Sequence, residues 1–441
     1  MFSKKELRVL LIPLVIEQVL TGLMGVADTL MVSRVGEAAI SGVSLVDSIN
    51  MLAVYFFSAL AAGGTVVAAQ YIGREDLSRA NRAAKQVMLA AGSLSVLLCL
   101  LLALLRMPIL RLIFGSVEQS VLEAADVYML VTVLSYPFLA LYTASAALFR
   151  ATGDSKKPMI VAALADVINI GGNALLIFVF RMGVLGAALA TLASRIFSAG
   201  LMLWYQSRPG QVIVLDDLKN LRPDFSMIKR ILRIGLPSAV ENGMFQMGRL
   251  LVQRTVTTLG TTAIAAQAVV YTLETCSSMP AMAIGTGLLT VAGQCMGRGR
   301  PDEARLYTRK FVGYARLILL GVNLVLCAGV PFIAGFTALT EEGVVLVCHL
   351  TWFTSLMKFL IWPGSFTRPC ALRAAGDVSY AMIISTLSMW ICRVGLSWAL
   401  CRYTPIGLWA IWIAWCSDWL VRNIAFGIRF RGHKWEKMNV L

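Results

Sequence analysis

Apolar residues run along this chain in long stretches, broken by short clusters of charge, glycine and proline. A stretch of roughly 20 apolar residues is enough for a helix to cross the ~30 Å hydrocarbon core of a bilayer. Read for such runs, the pattern predicts twelve spans, at 7–33, 44–70, 87–113, 121–149, 158–180, 184–206, 230–256, 264–294, 311–335, 343–371, 379–401 and 406–428. The longest polar interruption, from Gln206 to Lys229, contains Asp216, Asp217, Lys219, Asn220, Arg222 and Asp224 and falls near the middle. It predicts an N-terminal six-helix lobe over 1–206, a linker over 207–229 and a C-terminal six-helix lobe with a basic tail over 230–441.

Composition supports that reading. Of the 441 residues 58% are hydrophobic and 14% charged, against about 25% charged in an ordinary soluble protein. A soluble globular enzyme, a disordered chain and a secreted disulfide scaffold are all excluded. The formal net charge of +15 would suit nucleic acid in a soluble protein. Here the basic residues lie between apolar runs, where they mark the cytoplasmic side of a membrane protein. Lys4, Lys5 and Arg8 precede helix one, Arg74, Arg79, Arg82 and Lys85 follow helix two, and Arg429, Arg431, Lys434 and Lys437 form the tail. Both termini are therefore expected to be cytoplasmic, with the chain in the cell's inner membrane. No nucleic-acid partner is expected; the surrounding partner is the lipid bilayer.

The two halves repeat. A shift of 224 residues pairs Pro13 with Pro237, Glu17 with Glu241, Gly36 with Gly260, Gln70 with Gln294 and Arg74 with Arg298. At a shift of 223, Arg150-Ala-Thr-Gly-Asp154 matches Arg373-Ala-Ala-Gly-Asp377. Six spans per repeat relate the halves by an axis along the membrane normal, an arrangement transporters use for alternating access. The fold class is an all-α polytopic membrane protein, twelve transmembrane helices in two pseudo-symmetric six-helix bundles. Gly73–Ala80 and Gly297–Ala304, rich in glycine and arginine, are expected to be a helix end followed by a short amphipathic cytoplasmic helix, with no function assigned.

Charge inside the bilayer needs a reason, since one carboxylate costs on the order of 3 kcal/mol. Candidates are Glu17 and Asp28 in helix one, Asp47 in helix two, Asp126, Asp166 in helix five, Glu241 in helix seven, Glu274 and Asp418. Asp28, Asn173 and Thr191 fall at one depth, and Asn169 shares the helix-five face with Asn173 one turn away. One carboxylate with neutral oxygens can hold a hard monovalent cation or a proton; an interhelical hydrogen-bond set is the structural alternative. Asp166 and Arg195 fall at similar depths and are expected to form an ion pair. Glu241, in Pro237-Ser-Ala-Val-Glu-Asn242, lies beside a proline expected to bend its helix. Met244, Met247, Met279 and Met282 are expected to contact lipid or core. Nine cysteines show no CxxC spacing, and neither a Walker A run nor an HExxH is present. No catalytic residue, metal site or resident cofactor is predicted.

These residues resemble the multidrug and toxic compound extrusion (MATE) transporters. The likeness runs through Pro13, Asp28, Val32-Ser-Arg-Val-Gly36, Gln70, Phe149-Arg-Ala-Thr-Gly-Asp154, Asn169-Ile-Gly-Gly-Asn173 and Gly186-Ala-Ala-Leu-Ala-Thr191. In the second half it includes Gly235-Leu-Pro-Ser238, Glu241-Asn-Gly-Met-Phe-Gln246, Gly293-Gln-Cys-Met-Gly297 and Leu372-Arg-Ala-Ala-Gly-Asp377. The resemblance implies a secondary active multidrug exporter, an antiporter expelling bulky, often cationic organic compounds against inward H⁺ or Na⁺. It implies a coupling-ion site at Asp28, Asn169, Asn173 and Thr191, with Asn173 where that family often has Asp. It implies a second-half substrate or coupling role for Glu241, while no Asp or Glu lies between Val344 and Leu372 to complete that site. Glu17, Asp166 and Arg195 are further candidates, and a functional monomer is expected.

Two alternatives stand beside this. A lipid-linked sugar or lipid flippase of the same fold superfamily would need a basic wall, for which Arg195, Arg249 and Arg393 are the available donors. A membrane-embedded enzyme would need a nucleophile and base at one depth, and His349 is the single intramembrane histidine.

Overall fold

The computed structural model describes residues 2–115, 118–215, 222–335, 339–438 and 440. Each predicted apolar run is a helical rod. In chain order these are α1 (Lys4–Ser33), α2 (Glu37–Gly73), α3 (Leu77–Phe114), α4 (Gln119–Leu134 with Tyr136–Ala151), α5 (Lys156–Val179) and α6 (Gly183–Ser207). Then follow α7 (Phe225–Thr257), α8 (Thr261–Gly297), α9 (Pro301–Gly335), α10 (Glu341–Ala374), α11 (Val378–Tyr403) and α12 (Trp409–Arg431). Among the described residues no β-strand occurs. Nine rods among the described residues are long and apolar enough to cross a membrane, ten with α4, whose two parts meet at 46°. The other two, α7 and α12, carry buried charge (Glu241, and Asp418 with Arg422), which lowers their apolarity without shortening them.

Local sequence sets the ends. Ser3 and Glu6 form a reciprocal cap on α1, with Ser3 Oγ accepting from the Glu6 N–H at 3.1 Å and Glu6 Oε2 from the Ser3 N–H at 2.6 Å. Asp76 caps α3 through the Arg79 N–H at 3.0 Å. The segments Gly73–Ala80 and Gly297–Ala304 are not separate amphipathic helices, as their polarity suggested. Each is a tight turn followed by the first turns of α3 or α9, because charged side chains at a helix end reach water while the backbone ladder continues into the apolar run. The α4 bend falls at Ser135, with proline in the first turn of the second part. The helical assignment of α7 runs on past Pro237, where the missing proline N–H removes one rung of the ladder.

The repeat is visible in the backbone. α2 and α8 are each 37 residues long. Both are preceded by a glycine at positive φ, Gly36 at 141° and Gly260 at 94°. Gly153 and Gly376 in the matched five-residue motifs also share a left-handed conformation, at 90° and 95°, which a side chain rarely adopts. Each half carries a π-helical stretch in its fifth rod, Ala174–Val179 in α5 and Met389–Leu396 in α11.

Two compact units divide the described chain, Phe2–Ala239 and Val240–Val440. The first takes in the opening turns of α7, which lie close on α2. A Cβ at Gly63 would stand 2.6 Å from the Ile231 carbonyl oxygen, and one at Gly235 would stand 3.0 Å from that of Ala59. Asp216, Asp217, Lys219 and Asn220 lie outside the described residues. The chain on either side of them is tied to the first unit. Asn81 Oδ1 accepts from the Val214 N–H at 3.0 Å. The Gln86 amide donates to the Arg222 carbonyl at 2.9 Å and accepts from the Asp224 N–H at 3.0 Å. In the second unit, Trp412 and Trp415 of α12 pack with Val252, Val270, Val347 and Leu350 in one apolar cluster.

Candidate functional site

Three helices of the first unit bring Asp28, Asn173, Asn169 and Thr191 into one hydrogen-bonded chain. Asn173 Nδ2 donates to Asp28 Oδ1 at 2.6 Å and to Asn169 Oδ1 at 3.1 Å. Asn169 Nδ2 donates to Thr191 Oγ1 at 3.3 Å, and the Thr191 hydroxyl donates to its own helix at the Ala187 carbonyl, 3.0 Å away. Asn169 and Asn173 are buried. They stand one helical turn apart on α5, so both meet the same neighbours. Asn173 is the last α-helical residue before the π-helical turn at Ala174–Val179. Such turns widen a helix and recur at functional sites. Asn173 Oδ1 is buried and accepts no hydrogen bond. The Nδ2 end of the same amide is the one that faces Asp28.

A second polar group meets this one on α6. Asp47 on α2 accepts from Asn50 Nδ2 at 3.2 Å and from the Tyr128 hydroxyl at 3.3 Å. Asn50 Oδ1 in turn accepts from the Tyr136 hydroxyl at 2.7 Å. Arg195 stands one turn beyond Thr191 on α6 and donates to Ser135 Oγ at 2.6 Å, at the bend of α4. Its guanidinium lies within electrostatic reach of Asp47 and Asp28.

Arg195 and Asp166 do not form the expected ion pair. Equal depth places two residues at one height, but the direction of each side chain around its helix decides whether they meet. Arg195 faces α4, whereas Asp166 lies in the field of Glu17 and keeps Oδ2 buried with no hydrogen bond.

Most other buried carboxylates are neutralised. Arg150 binds Glu17, Arg106 binds Asp126 at 2.8 Å and Arg373 binds Glu241 at 2.7 Å. Lys358 binds Glu274 at 3.2 Å, and Asp418 is shared by Arg393 at 2.8 Å and Arg422 at 2.9 Å. Of the carboxylates read as lying in the bilayer, Asp28, Asp47 and Asp166 form no ion pair among the described residues, Arg195 acting on Asp28 and Asp47 only through space, and all three belong to the first unit. In the second unit Glu241 is clasped through both oxygens by one Arg373 nitrogen, at 2.8 and 2.7 Å.

The donors proposed for a basic wall are engaged as well. Arg393 serves Asp418, and Arg249 lies over the Tyr271 ring at 4.3 Å. Met247 and Met282 are exposed on the surface of the described chain, where lipid would cover them. Among the described residues, no group of three or more His, Cys, Asp or Glu side chains is arranged to hold a metal ion.

Comparison with known proteins matches the MatE family model to residues 13–175 and again to residues 237–399. The chain belongs to the MatE family. The twofold match repeats the internal duplication, and it makes this multi-pass membrane protein a member of a transporter family. A relative in Thermotoga maritima, "probable multidrug resistance protein NorM", is 29% identical, with 99% of this chain and 94% of the relative covered. Mouse "multidrug and toxin extrusion protein 2" is 22% identical over 91% of this chain and 69% of its own. The solved structure of a multidrug resistance MATE family transporter in an outward-facing conformation matches with TM-score 0.89 at 21% identity, covering 97% of this chain and 95% of that one. That likeness carries the fold: an all-α membrane protein of twelve helices in two pseudo-symmetric halves.

Several members of this candidate site in the MatE chain do not stand out in the sequence. Arg150 and Arg373 stand in the sequence as repeat marks, although two glutamates recurring at a shift of 224 and two arginines at 223 are a signal that they pair. Asp47 was noted as buried charge without a role. Its partners Asn50 and Tyr128, with Tyr136 bound to Asn50, come from two helices whose relative rotation the apolar pattern does not encode.

Proposed function

We propose that the protein is a secondary active exporter of bulky, often cationic organic compounds, coupled to inward H⁺ or Na⁺ at Asp28. The observation that carries this reading is that Asp28 is joined by hydrogen bonds to Asn173, Asn169 and Thr191 and forms no ion pair, the Arg195 guanidinium reaching it only through space. A proton or a sodium ion arriving at Asp28 supplies the missing positive charge. Binding that differs between two shapes of the first unit shifts their populations, which is the physical content of coupling. Asn173 orients Asp28 through its Nδ2. Asn169 and Thr191 brace Asn173, so that a change at Asp28 reaches α5 and α6 together.

Glu241 is the second unit's candidate. It acts as an ion pair with Arg373, which an arriving cationic compound can exchange for itself. Lobes over 1–206 and 230–441, joined by the linker 207–229, would alternate access between them, working as a monomer in the inner membrane. The distribution of lysine and arginine supports cytoplasmic termini.

The test is dye efflux from proteoliposomes under an imposed Na⁺ gradient or pH gradient. Wild type should export under one of them, and Asp28→Asn, inserted at equal level, should not. Full gradient-driven export by Asp28→Asn would sink the assignment.

A further inference from the structure

Lys358 is the most deeply buried lysine described, at 1% exposure, in the middle of α10. Its ammonium reaches one turn of α8 and finds three oxygens there. The Glu274 carbonyl and Ser277 Oγ each accept at 2.5 Å, and Glu274 Oε1 stands at 3.2 Å. A lysine head group has three donors and no acceptor, so the set is matched one to one. The cage is itself braced. Ser278 Oγ donates to Glu274 Oε1 at 3.0 Å, and Ser277 Oγ donates to the Glu274 carbonyl at 3.0 Å. A carboxylate, a carbonyl and a hydroxyl are also the oxygens a hard monovalent cation takes. Glu274 is the register mate of Asn50, so this place is polar in both halves but ionic in one.

We propose that the Glu274–Ser277 turn of α8 is a monovalent-cation site that the chain fills with its own ammonium. Lys358 is a tethered cation, and a free primary ammonium or alkali ion takes the site once the tether is cut. The consequence for transport, which rests on the reading of Asp28 above, is that a soluble coupling ion acts in the first unit alone.

The test reads thermal unfolding of purified protein in detergent, so it does not depend on transport or on Asp28. Lys358→Ala should unfold at a lower temperature than wild type. Millimolar methylammonium should raise its midpoint by several degrees, while tetramethylammonium, which has no N–H to donate, should not. Wild type and the double variant Lys358→Ala/Glu274→Gln should show no methylammonium response. A folded Lys358→Ala that ignores both methylammonium and Na⁺, or a wild type that responds equally, overturns the proposal. If Lys358→Ala does not fold, the double variant should, since the lone buried carboxylate is gone. Failure of the double variant to recover would mean that Lys358 acts by packing, and would also overturn it.

Discussion

Arg150 binds Glu17 at the same place in the repeat where Arg373 binds Glu241. The carboxylate comes from the first helix of each half and the arginine from the matched five-residue motif at the end of the fourth. Duplication has therefore preserved a buried ion pair that pins the first and fourth helices of each unit together. Glu17 and Glu241 are both 5% exposed, so neither charge is left to water.

Breaking either pair on one side leaves a buried charge alone, at a cost of about 3–5 kcal/mol. Glu241→Gln should lower the unfolding midpoint markedly, and Glu241→Gln/Arg373→Met should recover much of the loss. A double-mutant cycle on thermal unfolding measures this. Additive losses would show that the pair is not the source.

Arg195 and Asp166 should behave as strangers. Their coupling energy in a double-mutant cycle should fall within about 0.5 kcal/mol of zero, as for independent sites. Arg195→Met with Asp28→Asn should be non-additive in dye export, because both charges bear on one cluster. The reverse pattern would restore the Asp166 ion pair.

Three members of the Asp28 chain, Asp28, Asn173 and Thr191, were legible in the sequence as residues sharing a depth and Asn169 as one turn away on the same helix face, helped by the resemblance of their motifs. Depth follows from counting residues along a helix, and counting is robust. Azimuth is not, because it depends on how each rod is rotated against its neighbours. Arg195 therefore went to Asp166 in the sequence reading and to Ser135 in the structure, and Asp47 with Tyr128 stayed hidden. The π-helical turn after Asn173 was equally invisible, since residues 174–179 read as ordinary apolar helix and the wider turn is a product of packing. The rods themselves were legible almost throughout. Their polar ends were under-read because charge marks where a helix leaves lipid rather than where it stops.

Asn173→Asp should tighten Na⁺ binding. A second carboxylate beside Asp28 raises the charge facing a cation, and about 1.4 kcal/mol of gain would be tenfold in affinity. Sodium titration followed by tryptophan fluorescence, wild type against variant, reads it. An unchanged or weaker affinity would show that Asn173 does not face the ion.

The tail offers a pH prediction outside the bilayer. Burial pushes the Glu436 carboxyl up, but the hydrogen bond from His433 and the Arg305 guanidinium outweigh it and hold the group below its ordinary value of 4.5. A carboxylate lowered on folding stabilises the fold above its unfolded pKa and loses that contribution as pH falls through its folded pKa. The protection of amide hydrogens at residues 433–438, measured against their intrinsic exchange rates at each pH, should therefore be high at neutral pH and fall on acidification below 4.5. Glu436→Gln should show the reduced protection already at neutral pH.

The central claim is that Asp28 links cation binding to compound binding. Linkage is reciprocal, so a cation that expels a compound must weaken its equilibrium binding. Equilibrium binding of a fluorescent cationic dye to purified protein, titrated with Na⁺ and separately with H⁺, tests this without a membrane. Dye affinity in wild type should fall as one of the two cations rises, and in Asp28→Asn the dye should still bind with that dependence gone. A dye affinity in Asp28→Asn that keeps the wild-type dependence on that cation would contradict the account.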